Sequence, residues 1–199
     1  MRSRRDDSLF EKEQENQKSM SAMAGHGKIR LYYFDETGFS LEPSVPYAWQ
    51  PVGGQLEIPS FKSRRINVLG FFSKSHPASF HTVEGRVNSA VAVSVFDAFA
   101  SAYAAEYQSH ETPCVVNLDN ASIHTSRAFR SQLAKWALMG VFVHYLPTYS
   151  SELNLIETLW RKIKYEWLPL SCYAAYENLK KSLQDILGGV GSEYQINFV

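Results

Sequence analysis

The chain has 199 residues, 45% of them hydrophobic and 14% aromatic, enough for one compact core and short for two domains. Lys+Arg and Asp+Glu balance at twenty each, which argues against a protein that grips nucleic acid by bulk charge but leaves room for local basic strips. No apolar stretch approaches the ~20 residues of a bilayer span, no h-region follows the basic start Met1-Arg2-Ser3-Arg4-Arg5, and Cys114 and Cys172 form no CxxC pair, so a membrane span, a secretory signal and a zinc site all fit poorly and a reducing cytoplasm fits well.

In chain order, residues 1–27 are polar and charge-mixed (Glu11-Lys12-Glu13-Gln14-Glu15) and read as a linker or exposed helix broken by Gly25 and Gly27. Lys28 to Phe34 reads as a first strand. A Pro- and Gly-rich hairpin region follows around Tyr47-Ala48-Trp49-Gln50, then strands over 65–73 and 79–87, the three forming an antiparallel meander. Val91, Val95, Phe99 and Tyr103 at helical spacing predict a helix over 89–108. Cys114 to Leu118 is a buried strand, and Ser126 to Met139 a helix closed by Gly140 at C′. Val141 to Leu146 is a strand, and helices are expected over 154–167, stopped by Pro169, and over 173–187. The order predicts an α/β fold: a mixed sheet of three antiparallel strands and two further strands, flanked by helices on both faces. Residues 28–199 form the one globular domain.

Three acids stand at telling places. Asp35 closes the apolar run Leu31-Tyr32-Tyr33-Phe34, Asp119 closes Cys114 to Leu118, and Glu157 opens a helical pattern. Carboxylates at strand ends and a helix start can converge on a hard divalent cation such as Mg²⁺ or Mn²⁺. Each has a plainer reading. Asp35 can begin a turn before Thr37-Gly38, and Glu36 beside it can be the ligand instead, on the opposite strand face. Asp119-Asn120 can be a turn. Asn154-Leu155-Ile156-Glu157 has the spacing of a capping box, and Glu157 can also pair with Arg161. Ile156, Leu159, Trp160, Ile163 and Trp167 make one apolar helical stripe, with Arg161 and Lys164 on the side of Glu157. Arg64 and Arg65 form a second short basic strip.

The segments Phe34-Asp35-Glu36-Thr37-Gly38-Phe39, Leu118-Asp119-Asn120-Ala121-Ser122-Ile123-His124 and Leu146 to Glu157 resemble the three signature blocks of a transposase family, the bacterial insertion-sequence branch of the Tc/mariner superfamily with its DDE catalytic domain. The tryptophan-containing turn at Tyr47 to Gly54 resembles that family too, and the likeness runs from about Leu31 to Trp167. Proline is usual in the family where this chain has Ser122, Thr148, Ser151 and Leu155, all loop or helix-start positions. The resemblance implies an RNase H-like fold, a metal triad of Asp35, Asp119 and Glu157, and two Mg²⁺ or Mn²⁺ ions with DNA bound. It gives His124 a supporting or phosphate-contacting role and makes Arg64, Arg65, Arg161 and Lys164 plausible DNA contacts. It further implies cleavage at transposon ends and strand transfer into target DNA, in a bacterial cytoplasm and at the nucleoid when DNA is bound. A homodimer and a separate or missing helix-turn-helix module complete the expected partners, because Met1 to Gly27 is too short to hold such a module. Another RNase H-like nuclease, or an inactive remnant acting as a binding module, are the alternatives.

Overall fold

Five strands, β1 (Arg30–Phe39), β2 (Ile66–Phe72), β3 (Ser79–Glu84), β4 (Cys114–Leu118) and β5 (Val141–Tyr145), form one mixed sheet in the order β3-β2-β1-β4-β5. This computed structural model describes residues 5–44, 52–53 and 64–196; the tryptophan-containing turn expected at 47–54 lies almost wholly outside them. The first three strands are antiparallel. β4 runs parallel to both its neighbours, with Tyr33 paired to Asn117 on one side and Leu118 to Tyr145 on the other. Around the strands lie α1 (Asp7–Gly25), α2 (Ser89–His110), α3 (Arg127–Arg130), α4 (Leu133–Leu138), α5 (Ile156–Lys162) and α6 (Tyr176–Gly188). The expected mixed sheet with flanking helices is the observed one.

Several boundaries differ from expectation for physical reasons. β1 does not end at Phe34. It runs on through Asp35 to Phe39, with Thr37 and Phe39 buried and alternating, because a central strand has neighbours to pair with. Thr37 and Gly38 are therefore strand, not turn. The expected helix over 126–139 is two short helices. Ser126 Oγ caps the first by accepting from Phe129 N–H at 3.2 Å, and the Ser131 hydroxyl bonds back to Ala128 O at 2.8 Å where the helix breaks. Gly140, at φ 83°, then ends the segment as expected. The helix expected over 154–167 is α-helical only to Lys162, after which Ile163–Trp167 is one π turn. The wider turn rotates Trp167 out of the buried stripe of Ile156, Leu159, Trp160 and Ile163 and lets Leu168 bury instead.

The chain falls into two compact units. The first comprises Met1–Asp35, Leu69–His81 and Val87–Glu157. On one sheet face Phe96 of α2 is fully buried with Phe34, Phe71, Phe129 and Trp136 around it, at ring separations of 4.6 to 4.9 Å. On the other face lies α1. The expected linker or exposed helix is indeed helical, but Glu13, Gln17 and Met20 are buried. Beside the apolar Met20, its buried face carries polar contacts: Gln17 Nε2 donates to Glu13 at 2.7 Å, Asn117 Nδ2 donates to Gln17 Oε1 at 2.8 Å, and His144 Nε2 lies 2.8 Å from Glu13. A search for apolar periodicity overlooks a helix held this way.

The second unit comprises Glu36–Val68, Thr82–Arg86 and Thr158–Val199. Leu179, Leu183, Ile186 and Leu187 form the buried stripe of α6, which packs on the 3₁₀ turn Leu170–Ala174. Trp167 rests against Tyr194 at 5.1 Å. Among the described residues no helix is long and apolar enough to cross a membrane.

Candidate active site

The parallel register delivers the first two acids. Tyr33 pairs with Asn117, so Asp35 lies two residues beyond the last pair on β1 and Asp119 two residues beyond it on the β4 side. Asp35 is half-buried within β1, and Asp119 is the first residue beyond β4, with its side chain about half exposed. Asp119, Asn120, Leu146, Tyr149, Asn154 and Glu157 are among the residues lining one cleft of about 330 Å³. Two of the three expected ligands thus share a cavity, and the third lies on the strand beside it. Among the described residues no three His, Cys, Asp or Glu side chains stand close enough together to hold a metal ion.

Asp119 explains part of that spacing. Its Oδ1 accepts from Ala121 N–H at 3.0 Å, the turn anticipated for an aspartate there, and lies 2.8 Å from His124 Nδ1. Burial alone would push the Asp119 carboxyl up, yet the His124 hydrogen bond and the Ala121 N–H hold it below the usual value. Oδ1 is the oxygen so engaged, and Oδ2 is in neither bond.

His124 is fully buried between Phe34 and Phe129, at ring separations of 5.4 and 5.8 Å. Its sequence-based candidacy as a phosphate contact is corrected by that burial: the ring reaches Asp119, not solvent. Tyr145 hydroxyl donates to His124 O at 2.8 Å and steadies the turn.

For Glu157 the capping-box reading fails at both ends. The Asn154 N–H donates to Ser151 O at 2.9 Å, and its Oδ1 has no hydrogen-bond partner among the described residues, while Glu157 N–H goes to the main-chain Asn154 O at 3.0 Å. Asn154 Nδ2 instead donates to Phe34 O at 3.0 Å. Sequence spacing made Asn154 a cap, and a separation of 120 residues hid its real partner. Asn120, also overlooked, anchors the cleft by donating to Leu146 O. Tyr149 lines the same cleft with a left-handed backbone, φ 59°, and an exposed ring.

The four remaining basic candidates belong to the second unit. Arg64 pairs with Glu84 at 2.6 Å and lies over the Tyr176 ring at 4.5 Å. Arg65 is exposed, with its guanidinium against Gly38 where a Cβ would stand. Lys164 Nζ donates to Thr37 Oγ1 at 2.5 Å, and Arg161 is exposed.

Residues 30–180 match the family described as DDE superfamily endonuclease. A search of curated proteins found no significant match. Similar solved structures include the Mos1 mariner paired end complex with Mn, at 17% identity over 93% of this chain and 56% of that one, with a TM-score of 0.60. The catalytic domain of Mos1 mariner transposase aligns at 16% identity over 92% of this chain and 83% of its own, TM-score 0.58. The Mos1 transposase catalytic domain with Raltegravir and Mg gives 17%, 92%, 84% and 0.57. At such identities the likeness is one of fold, the RNase H-like fold. The chain spans little more than half (56%) of the Mos1 chain in the paired end complex.

Proposed function

The chain belongs to the DDE superfamily of endonucleases, and from that premise we propose that it is the catalytic domain of a Tc/mariner-type transposase, cutting DNA at transposon ends and joining the freed 3′ ends to target DNA. The observation that carries this reading is the cleft lined by Asp119 and Glu157, with Asp35 on β1, the parallel neighbour of the strand that Asp119 follows. The donor set of carboxylate oxygens suits Mg²⁺ or Mn²⁺, and the solved Mos1 structures with Mn and with Mg point the same way. Asp35, Asp119 and Glu157 would hold the ions. When bound, two such ions activate the attacking oxygen and neutralise the leaving one in an in-line displacement at phosphorus. His124 keeps the Asp119 carboxylate ionised and oriented, so the reaction begins with the charge already in place. Arg161 and Lys164 contact backbone phosphates, which position DNA without reading its sequence.

Recognition of the ends belongs, in this reading, to a helix-turn-helix module outside residues 28–199, and the active assembly is a homodimer on DNA at a bacterial nucleoid. Mn²⁺ calorimetry on the wild type and on Asp35→Asn, beside cleavage and joining of a transposon-end duplex, tests it. Loss of Mn²⁺ binding and of both reactions in Asp35→Asn is expected. Wild-type cleavage without joining of a pre-cut end would instead assign a nuclease, and no Mn²⁺ binding by the wild type would end the metal-triad reading.

A further inference from the structure

Asn154 bonds to both β1 and the start of α5. Its side chain is buried, 3% exposed. Nδ2 donates at 3.0 Å to the carbonyl of Phe34, the residue before Asp35 on β1. Its main-chain carbonyl accepts the Glu157 N–H at 3.0 Å at the start of α5. The residue lines the same cleft as Asp119 and Glu157. One side chain and its backbone therefore connect the strand that carries the first acid to the helix that carries the third. Because Nδ2 is committed to a carbonyl, the amide orientation is fixed and Oδ1 is the acceptor left over. That oxygen is buried and has no donor among the described residues, a state that is unfavourable when nothing fills it. Native structures rarely keep such an atom without a use.

We propose that Asn154 is a positioning residue with two separable functions: Nδ2 ties β1 to the start of α5, and Oδ1 accepts a hydrogen bond from a water carried by the divalent cation in the cleft. A neutral amide suits this place. It adds an acceptor without adding a further negative charge to a cleft already lined by the Asp119 and Glu157 carboxylates, and Mg²⁺ and Mn²⁺ retain waters that need such acceptors. The inference rests on the metal-triad reading above.

The test uses Mn²⁺ alone as the probe, read by calorimetry beside melting temperature, in the wild type, Asn154→Leu and Asn154→Asp. Leu keeps the volume and removes both functions; Asp keeps an acceptor and removes the donor. Groups that orient a metal's ligands or waters are typically worth 10–100-fold in affinity. Asn154→Leu is expected to weaken Mn²⁺ binding at least tenfold. Asn154→Asp is expected to bind Mn²⁺ at least as tightly as the wild type while melting lower, since a carboxylate then faces the Phe34 carbonyl. Affinity within twofold of wild type in Asn154→Leu overturns the proposal. So does equal weakening in both variants in step with their melting temperatures, which would make Asn154 a structural tie only. If Asn154→Leu does not fold, the Asp variant decides alone: Mn²⁺ affinity at or above wild type supports the proposal, and a tenfold loss overturns it. If the wild type binds no Mn²⁺ while folded, the triad reading fails first and this inference with it.

Discussion

Replacing Asp119 by Asn separates charge from geometry at the cleft. Oδ1 accepts two bonds, from Ala121 N–H at 3.0 Å and from His124 Nδ1 at 2.8 Å, and an Asn carbonyl can accept both. What is lost is the charge. Three acids brought near one another would by themselves make neutralisation stabilising, but the Asp119 carboxyl is held below its ordinary value, so in this fold its ionised form is the favoured one. A hydrogen bond to a charged group contributes about 1.5–3 kcal/mol against about 0.5–1.5 for a neutral one. The side chain is 53% exposed, so solvent screening places Asp119→Asn near the low end, a loss of about 1 kcal/mol. For a chain of this size that is a fall in melting temperature of roughly 2–4 °C. Asp119→Ala also strips the fully buried His124 of its Nδ1 partner and should lose about 1–3 kcal/mol. Both variants should lack Mn²⁺ binding and DNA cleavage. Scanning calorimetry with a Mn²⁺-dependent nicking assay measures the two effects together. A higher melting temperature for Asp119→Asn would show that repulsion between the acids outweighs the His124 and Ala121 contacts, and retained nicking would remove Asp119 from the ligand set.

Asp97 accepts from Lys135 at 2.9 Å and from the indole of fully buried Trp136 at 2.7 Å; those two bonds, Lys135 first, lower its carboxyl. A lowered carboxylate stabilises the fold fully above its unfolded value of about 3.9 and loses that contribution as pH falls through its folded value. Asp97→Ala should therefore melt lower at pH 7, by the equivalent of about 1–3 kcal/mol, and converge on the wild type in acid; a constant difference at all pH values would refute the assignment. Tyr149→Gly should leave stability unchanged or raise it by up to about 1 kcal/mol, because glycine adopts φ 59° without the cost a side chain incurs, and a clear fall in melting temperature would show that the ring makes contacts worth more than its backbone strain. On non-specific duplex DNA the chain should bind with a Kd of ~10⁻⁴–10⁻⁶ M at physiological salt, and Arg161→Ala should flatten the salt dependence by about one unit of slope; an unchanged slope would take Arg161 off the phosphate path.

Much of the fold is legible in the sequence because the periodicities are local. The apolar runs at Leu31 to Phe34 and Cys114 to Leu118 announce buried strands, and Gly140 announces a helix end. The sheet order makes β1 and β4 parallel neighbours, which puts Asp35 and Asp119 towards the same end of the sheet. The rest depended on partners distant in sequence. Asp, Thr and Gly at 35–38 look like a turn until β1 is seen to be central. Glu13 and Gln17 look solvated until Asn117 and His144 arrive from β4 and β5 to satisfy them. Asn154 looks like a cap because its spacing to Glu157 is visible, whereas its bond to Phe34 is not. No composition rule marks the π turn.

That π turn has a consequence for comparing this chain with others. Ile163–Trp167 holds one residue more than an α turn would, so the helical wheel drawn through Ile156, Leu159 and Ile163 loses its phase at Lys164. A gapless overlay on a relative with a regular helix would agree up to Lys162 and then pair every later residue with its neighbour's counterpart, setting Lys164 against a position that does not face Thr37 and Trp167 against one that does not face Tyr194. The insertion sits inside a helix, where alignments are least inclined to open a gap, and sequence identity measured beyond it would be understated for reasons of register, not of chemistry.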